Sequence, residues 1–303
     1  MLEFFHTNLP YILSGISVGG QYALIAIGYT MVYGILRLIN FAHGDVFMCA
    51  GLMMIYLSAS LPMWASIPLV LILTVLLGFV IERAAYKPLR TAPRMSVMIS
   101  AIGVSYLLQN AALYFTGGLA KTYPKIPWLS QSVVIWDAST KMVTLVTPVL
   151  AVVLIILLTL LIKYTKVGMA MRAVSRDFET SQLMGIKINS VISATFIIGS
   201  LLAAVGSLLY FTNYDSVVPT SGAMPGLKCF VAAVFGGIGS IPGAVVGAFI
   251  IGICENILKG GADIFGFGNS WTTFSDAFTF ALLIIILVVK PTGLFGEKAT
   301  DKV

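Results

Sequence analysis

Long uncharged stretches dominate the chain. Residues 4–36, 46–81, 95–120, 142–162, 188–214, 229–254 and 277–289 carry no Asp, Glu, Lys or Arg, and together they make up more than half of the sequence. Within them the apolar residues run continuously, as from Val149 to Leu158, without the alternation of about 10-residue segments that marks an outer-membrane barrel strand. About 20 consecutive apolar residues suffice for a helix to cross a bilayer. Breakers and charges divide the stretches into elements: 10–33, 41–60, 64–81, 95–115, 143–162 and 191–212, then a glycine-interrupted element 226–258 and a last one at 273–289. The pattern predicts an all-α polytopic membrane protein with about eight transmembrane elements in a single domain, 1–303.

Charge sets sidedness. The segment 82–94 holds Arg83, Lys87, Arg90 and Arg94, and the segment 163–187 holds Lys163, Lys166, Arg172, Arg176 and Lys187. Two crossings separate them, so both can face the cytoplasm, where short loops accumulate Lys and Arg. The loop 117–141, with its Tyr and Trp residues and two prolines, then reads as external, as does 213–225. Counting back puts the N-terminus outside; Lys290, Lys298 and Lys302 put the C-terminus inside. The first residues lack a basic leader and cleavage site and read as mature sequence. Parity requires 226–258 to return to its starting side, either as a re-entrant pair of half-helices or as two short crossings.

Composition narrows the function. With 10% charged residues against a usual quarter or so, 58% hydrophobic residues and a mean hydropathy of +0.99, the chain cannot cover a water-facing surface. A net charge of +6 without a basic stripe interleaved with aromatics fits retained cytoplasmic loops and no nucleic-acid partner. Cys49, Cys229 and Cys254 are scattered among apolar residues and read as packed thiols; His6 and His43 are too few for a metal cluster. No G-x-x-x-x-G-K-[ST] run is present to cradle a nucleotide, and Ser, His and Asp lack a nucleophile elbow. These absences argue against a hydrolase and against ATP hydrolysis by this chain.

Three stretches can carry chemistry. Asn40, His43 and Asp45 interrupt the early apolar windows; buried ionisable groups in a membrane usually face a cavity or a partner. They either pair at a broken helix and line a polar route, or sit in an interfacial turn with Asp45 favoured by a helix N-terminus. Gly236, Gly237, Gly239, Pro242 and Gly243 break the element 226–258 near its middle, either for close packing through small residues or as part of a gate or pathway. The loop 163–189 is the strongest signal. Ser175 can cap a short helix with Asp177 and Glu179 in its first turn, Phe178, Leu183 and Met184 along its apolar edge, and Gly185 ending it. With Arg172 and Arg176 beside it, such a helix either lies on the cytoplasmic face as a merely structural element or offers both signs of charge and apolar surface to a soluble partner.

Glu179-Thr180-Ser181, three further residues and Gly185 resemble the E-A-A-x-x-x-G coupling loop of ABC importer permeases, with Thr and Ser where Ala is usual and without the customary Ile-x-Leu-Pro downstream. Four further segments, at 22–34, 39–44, 233–244 and 291–296, make the whole chain similar to the LivH-type permeases of high-affinity branched-chain amino acid ABC importers. That resemblance implies import of leucine, isoleucine and valine across a bacterial inner membrane by alternating access. It implies a second, LivM-like permease, two cytoplasmic ATPases that use ATP and Mg, and a periplasmic amino-acid-binding protein, with no cofactor bound by this chain. The coupling residues would be Arg172, Arg176, Asp177, Glu179 and Gly185. The pathway would run past Asn40, His43, Asp45 and the glycine break. The rival expectation is an ion-coupled secondary transporter of small amino acids or amides, with His43 and Asp45 as a proton relay.

Overall fold

The computed structural model describes residues 2–90, 92–135, 138–264 and 269–296. Among them eleven helices follow in the order α1 (Leu2–Leu36), α2 (His43–Ser60), α3 (Met63–Ile81), α4 (Arg94–Thr116), α5 (Met142–Tyr164), α6 (Lys166–Arg176), α7 (Phe178–Leu183), α8 (Ile188–Tyr214), α9 (Ala223–Gly236), α10 (Ile241–Ile264) and α11 (Asn269–Val289). A π-helical turn, Glu82–Tyr86, prolongs α3. Six of the helices are long and apolar enough to cross a membrane. The element boundaries read from hydropathy fall within a few residues of these ends for the long uninterrupted helices, except that α1 begins at Leu2 and not near residue 10.

Packing sorts the helices into centre and rim. α1 and α8 are mostly buried, whereas α3, α4 and α5 turn most of their surface outward. The outward side chains are apolar, Ile72 and Leu76 on α3 and Leu107 on α4 among them, as a lipid-facing wall requires. Close approach at the centre depends on small residues, since association within lipid gains little from apolar burial and relies on backbone proximity. At the α1–α10 contact a Cβ on Gly252 would lie 2.4 Å from the Gly19 nitrogen, so only glycine fits there.

Short strands and ion pairs tie the ends. Lys121–Thr122 (β1) pairs antiparallel with Ser216–Val217 (β4), and Ser132–Ile135 (β2) with Ala138–Lys141 (β3). Lys141 Nζ reaches Asp215, 2.7 Å away, and the Asn213 carbonyl. The loops 117–141 and 213–222 therefore share one end of the bundle. At the other end Arg90 hydrogen-bonds Asn189, and Arg37 donates to the Ser175 carbonyl, which brings 82–94 beside 163–189. Lys298 and Lys302, used above for C-terminal sidedness, lie outside the described residues.

The element 226–258 divides unequally. α9 is a 14-residue helix and α10 a 24-residue one, packed side by side and joined by a turn. The expectation of a break in mid-element is met in the sequence but not in depth, because α9 begins inside the bundle. A Cβ on Gly44 would lie 2.5 Å from the Gly222 carbonyl, so the starts of α9 and α2 meet. His43 in turn lies against Gly28, eight residues before α1 ends, about 12 Å along that helix. Both short helices thus start deep in the molecule and run to opposite ends.

Candidate functional site

Asn40, His43 and Asp45 come together, all almost fully buried. Segment 37–42 folds back alongside α1, so these polar residues sit in the interior instead of an interfacial turn. Asn40 Oδ1 accepts from Tyr86 at 2.6 Å. Asp45 accepts from Ser105, and from Gln109 at 3.1 Å, both on α4. His43 stands edge-on to Tyr29 at 5.0 Å between ring centres, and its Nε2 is buried without a hydrogen-bond partner. His43 and Asp45 make no direct bond among the described contacts; each is held by a different helix.

A cavity of about 310 Å³ opens here, with Asp45, Ser105 and Gln109 on its polar side and Tyr29, Phe41 and Phe230 as its aromatic wall. It lies at the meeting helix starts, with the Asp45 carboxylate in the first turn of α2, where a helix dipole favours negative charge. Aromatic walls with few polar groups suit a ligand that is apolar at one end and charged at the other.

A second cavity of about 320 Å³ occupies the other side of α9. Lys228, Glu255, Lys259 and Asp276 line it together with Tyr22, whose hydroxyl donates to Glu255 at 3.0 Å. Sequence reasoning missed this group. Lys228 and Glu255 sit at the edges of the uncharged window 229–254 and pass for boundary charges, and Asp276 lies just inside the last apolar element. The one available signal is that these edges fall well inside helices.

The glycine break is a clamped joint. Gly237 and Gly239 have φ of 108° and 97°, which ends α9. The backbone nitrogens of Leu294 and Phe295 donate to the carbonyls of Phe235 and Gly236, both at 2.9 Å. Gly236 and Gly243 touch backbone to backbone, and Pro242 stands in the first turn of α10. Segments 233–244 and 291–296, two of those behind the resemblance, are one structural unit. The joint lies near the end of α1, with Gly34 opposite Gly239, away from both cavities.

The loop 163–189 forms two helices where the sequence suggests one. α6 runs through Ser175, whose hydroxyl donates back to the Arg172 carbonyl, so Ser175 is not the cap. Asp177 is: it accepts from the Thr180 backbone nitrogen at 3.1 Å and from the Thr180 hydroxyl at 2.9 Å. The assignment moves because Asp177 is the first residue out of helical geometry, at φ −149° and ψ 108°. Gly185, at φ +83°, follows the end of α7 as expected. α6 buries Gly168, Met171 and Val174 and leaves Arg172 and Arg176 outside. On α7, Glu179 is exposed, and Leu183 and Met184 are 86% and 79% exposed.

A polar chain runs from the start of α8, at the end of the bundle that holds this surface, to Asn40. Asn189, at the start of α8, bonds Arg90; Arg90 pairs with the fully buried Glu82, which also accepts from Ser193 at 2.8 Å. Glu82 opens the π-helical turn that carries Tyr86 to Asn40. Such turns recur at functional positions.

A family profile described as the permease component of branched-chain amino acid transport systems matches residues 11–287. Over 318 aligned positions the chain is 40% identical to the high-affinity branched-chain amino acid transport system permease protein BraD of Pseudomonas aeruginosa, with both chains fully covered. Identity to the corresponding LivH protein of Escherichia coli is 37% over 316 positions, again with full coverage. A solved chain of PsaBC from Streptococcus pneumoniae in complex with Fab shares the fold, with a TM-score of 0.50 at 14% identity, covering 96% of this chain and 94% of that one. Continuous similarity from end to end and six apolar spans make this a multi-pass membrane protein that belongs to the permease-component family of branched-chain amino acid transport systems.

Proposed function

We propose that the chain is one of two unlike permease subunits of an ABC importer for leucine, isoleucine and valine, working by alternating access. Its partners are a LivM-like second permease, two cytoplasmic ATPases and a periplasmic binding protein. ATP and Mg act in the ATPases; this chain binds no cofactor of its own. The assembly sits in a bacterial inner membrane, with the N-terminus and 117–141 outside and the α6–α7 surface and C-terminus in the cytoplasm.

The α6–α7 surface carries this reading. A ledge with Arg172, Arg176 and Glu179 outside and Leu183 and Met184 almost wholly uncovered suits a groove on a soluble partner, since interfaces centre on apolar anchors and charges set the register. Asp177 and Gly185 fix the start and end of α7, so movement of a docked partner is passed to the bundle as a rigid body. The chain through Arg90, Glu82 and Tyr86 offers a route from beside that ledge to Asn40, next to the cavity that Asp45 lines. There the Asp45 carboxylate favours a substrate ammonium, and Tyr29, Phe41 and Phe230 favour an aliphatic side chain. The glycine joint at 236–243 fixes the angle between α9 and α10 and so sets the width of the path beside α9. Family membership weighs against the ion-coupled alternative.

Arg172→Glu and Glu179→Lys, each in the complete importer in liposomes, test the docking role. Both should lower leucine-stimulated ATP hydrolysis and uptake about tenfold, since like charges set face to face are costly at an interface, while the melting temperature stays the same. Unchanged coupled transport in both variants removes the assignment.

A further inference from the structure

The second cavity is unused by the mechanism above, yet it holds four ionisable side chains of a chain that has few within its helices. They stand in a row. Asp276 Oδ1 is 2.6 Å from Lys228 Nζ, Lys228 Nζ is 2.7 Å from Glu255 Oε1, and Glu255 Oε1 is 2.6 Å from Lys259 Nζ. The inner two are almost completely buried and have their charges satisfied, Lys228 between two carboxylates and Glu255 by two ammonium groups and Tyr22. The outer two are open: the Asp276 side chain is 41% exposed and that of Lys259 35%. Three short contacts separate a negative group at one end of the cavity from a positive group at the other.

The row is neutral in total. A lone cation or anion entering it would leave an uncompensated charge beside the buried Lys228 and Glu255, which is costly. A ligand with one charge of each sign leaves the sum unchanged and finds a partner for each. An α-amino acid head has that form, with its ammonium for Asp276 and its carboxylate for Lys259. Tyr210, Tyr214, Met224, Pro225 and Ser275 supply the remaining wall, whose ring and methylene faces give an aliphatic side chain something to pack on. A volume of about 320 Å³ is at the small end of the range for ligand sites, roughly 300–1,000 Å³. An ion row kept only to hold helices together would gain little, because buried pairs rarely stabilise more than packed apolar residues do.

We propose that this cavity is a binding site for the zwitterionic head of an aliphatic α-amino acid, with Asp276 and Lys259 as its polar contacts. The proposal rests on reading the chain as an amino-acid permease. It adds a station on the other side of α9 from the cavity that Asp45 lines.

The test is equilibrium binding of radiolabelled leucine to the complete importer in nanodiscs, without the binding protein. Competitors are 4-methylpentanoate, which lacks the ammonium, and isoamylamine, which lacks the carboxylate. Wild type should bind leucine and prefer it to both. Asp276→Asn and Lys259→Gln should each weaken binding about tenfold or more, as loss of a charged hydrogen bond does. Lys259→Arg should restore most of it. Wild-type affinity in both neutral variants overturns the site, as does a leucine-importing wild type that binds no leucine. Loss in Lys259→Arg with its melting temperature intact overturns it too. If the wild-type importer moves no branched-chain amino acid at all, the transport reading itself fails, a result distinct from these.

Discussion

At the scale of single residues, Gly28 is the position that lets His43 sit inside the bundle. A Cβ there would lie 2.2 Å from His43 Nε2, and Gly199 approaches the same spot from α8. α1, α8 and the start of α2 can meet only because two of the three carry no side chain at the crossing. Gly28→Val should therefore push the imidazole away from Tyr29, lower the melting temperature of the purified importer and reduce uptake about tenfold, in keeping with the usual cost of overpacking, about 1–3 kcal/mol. Gly28→Ala combined with His43→Ala should be milder than the two single effects multiplied, because both act on one contact. A double variant that is simply additive would show that the contact does not hold the site.

At the scale of elements, the device to examine is the π-helical turn after α3. It places Glu82, Tyr86 and Arg90 so that one network touches α8 beside the α6–α7 ledge and Asn40 beside the cavity. Glu82→Gln keeps the shape and removes the charge facing Arg90. If the network transmits movement, ATP hydrolysis should continue while leucine moved per ATP falls about threefold or more, within the range of coupling energies carried by such contacts. An unchanged ratio would mean that transmission runs elsewhere, for instance through direct packing of α6 on α8. The same elements show what a sequence discloses. Long apolar helices are legible because each must span a fixed thickness of hydrocarbon, and Gly185 is legible because a left-handed helix end favours glycine. The cap at Asp177 was misplaced by two residues because Ser175 and Asp177 are equally good caps, and only the backbone decides between them. The Asp276–Lys228–Glu255–Lys259 row was hidden because its members come from three successive helices and meet only when these pack together. The depth of His43 was hidden because a fold-back at 37–42 looks like an ordinary turn when read locally.

At the scale of the whole molecule, two central helices, α1 and α8, are surrounded by lipid-facing α3, α4 and α5. Two short helices, α2 and α9, start in the interior and leave towards opposite ends. One end is fastened by the β1–β4 pair and the Lys141–Asp215 bridge, the other presents the α6–α7 ledge. A bundle held in this way can change the width of its interior when a partner moves the ledge, without exposing unpaired backbone to lipid. The central claim is that the ledge is where the energy of ATP enters. The most direct measurement places a photo-crosslinking amino acid at Leu183 in the intact importer within its native membrane. The account predicts a covalent adduct with the ATPase subunit, strengthened or weakened by ATP. An adduct with the binding protein on the external side, or none with the ATPase in an importer that still transports leucine, would contradict it.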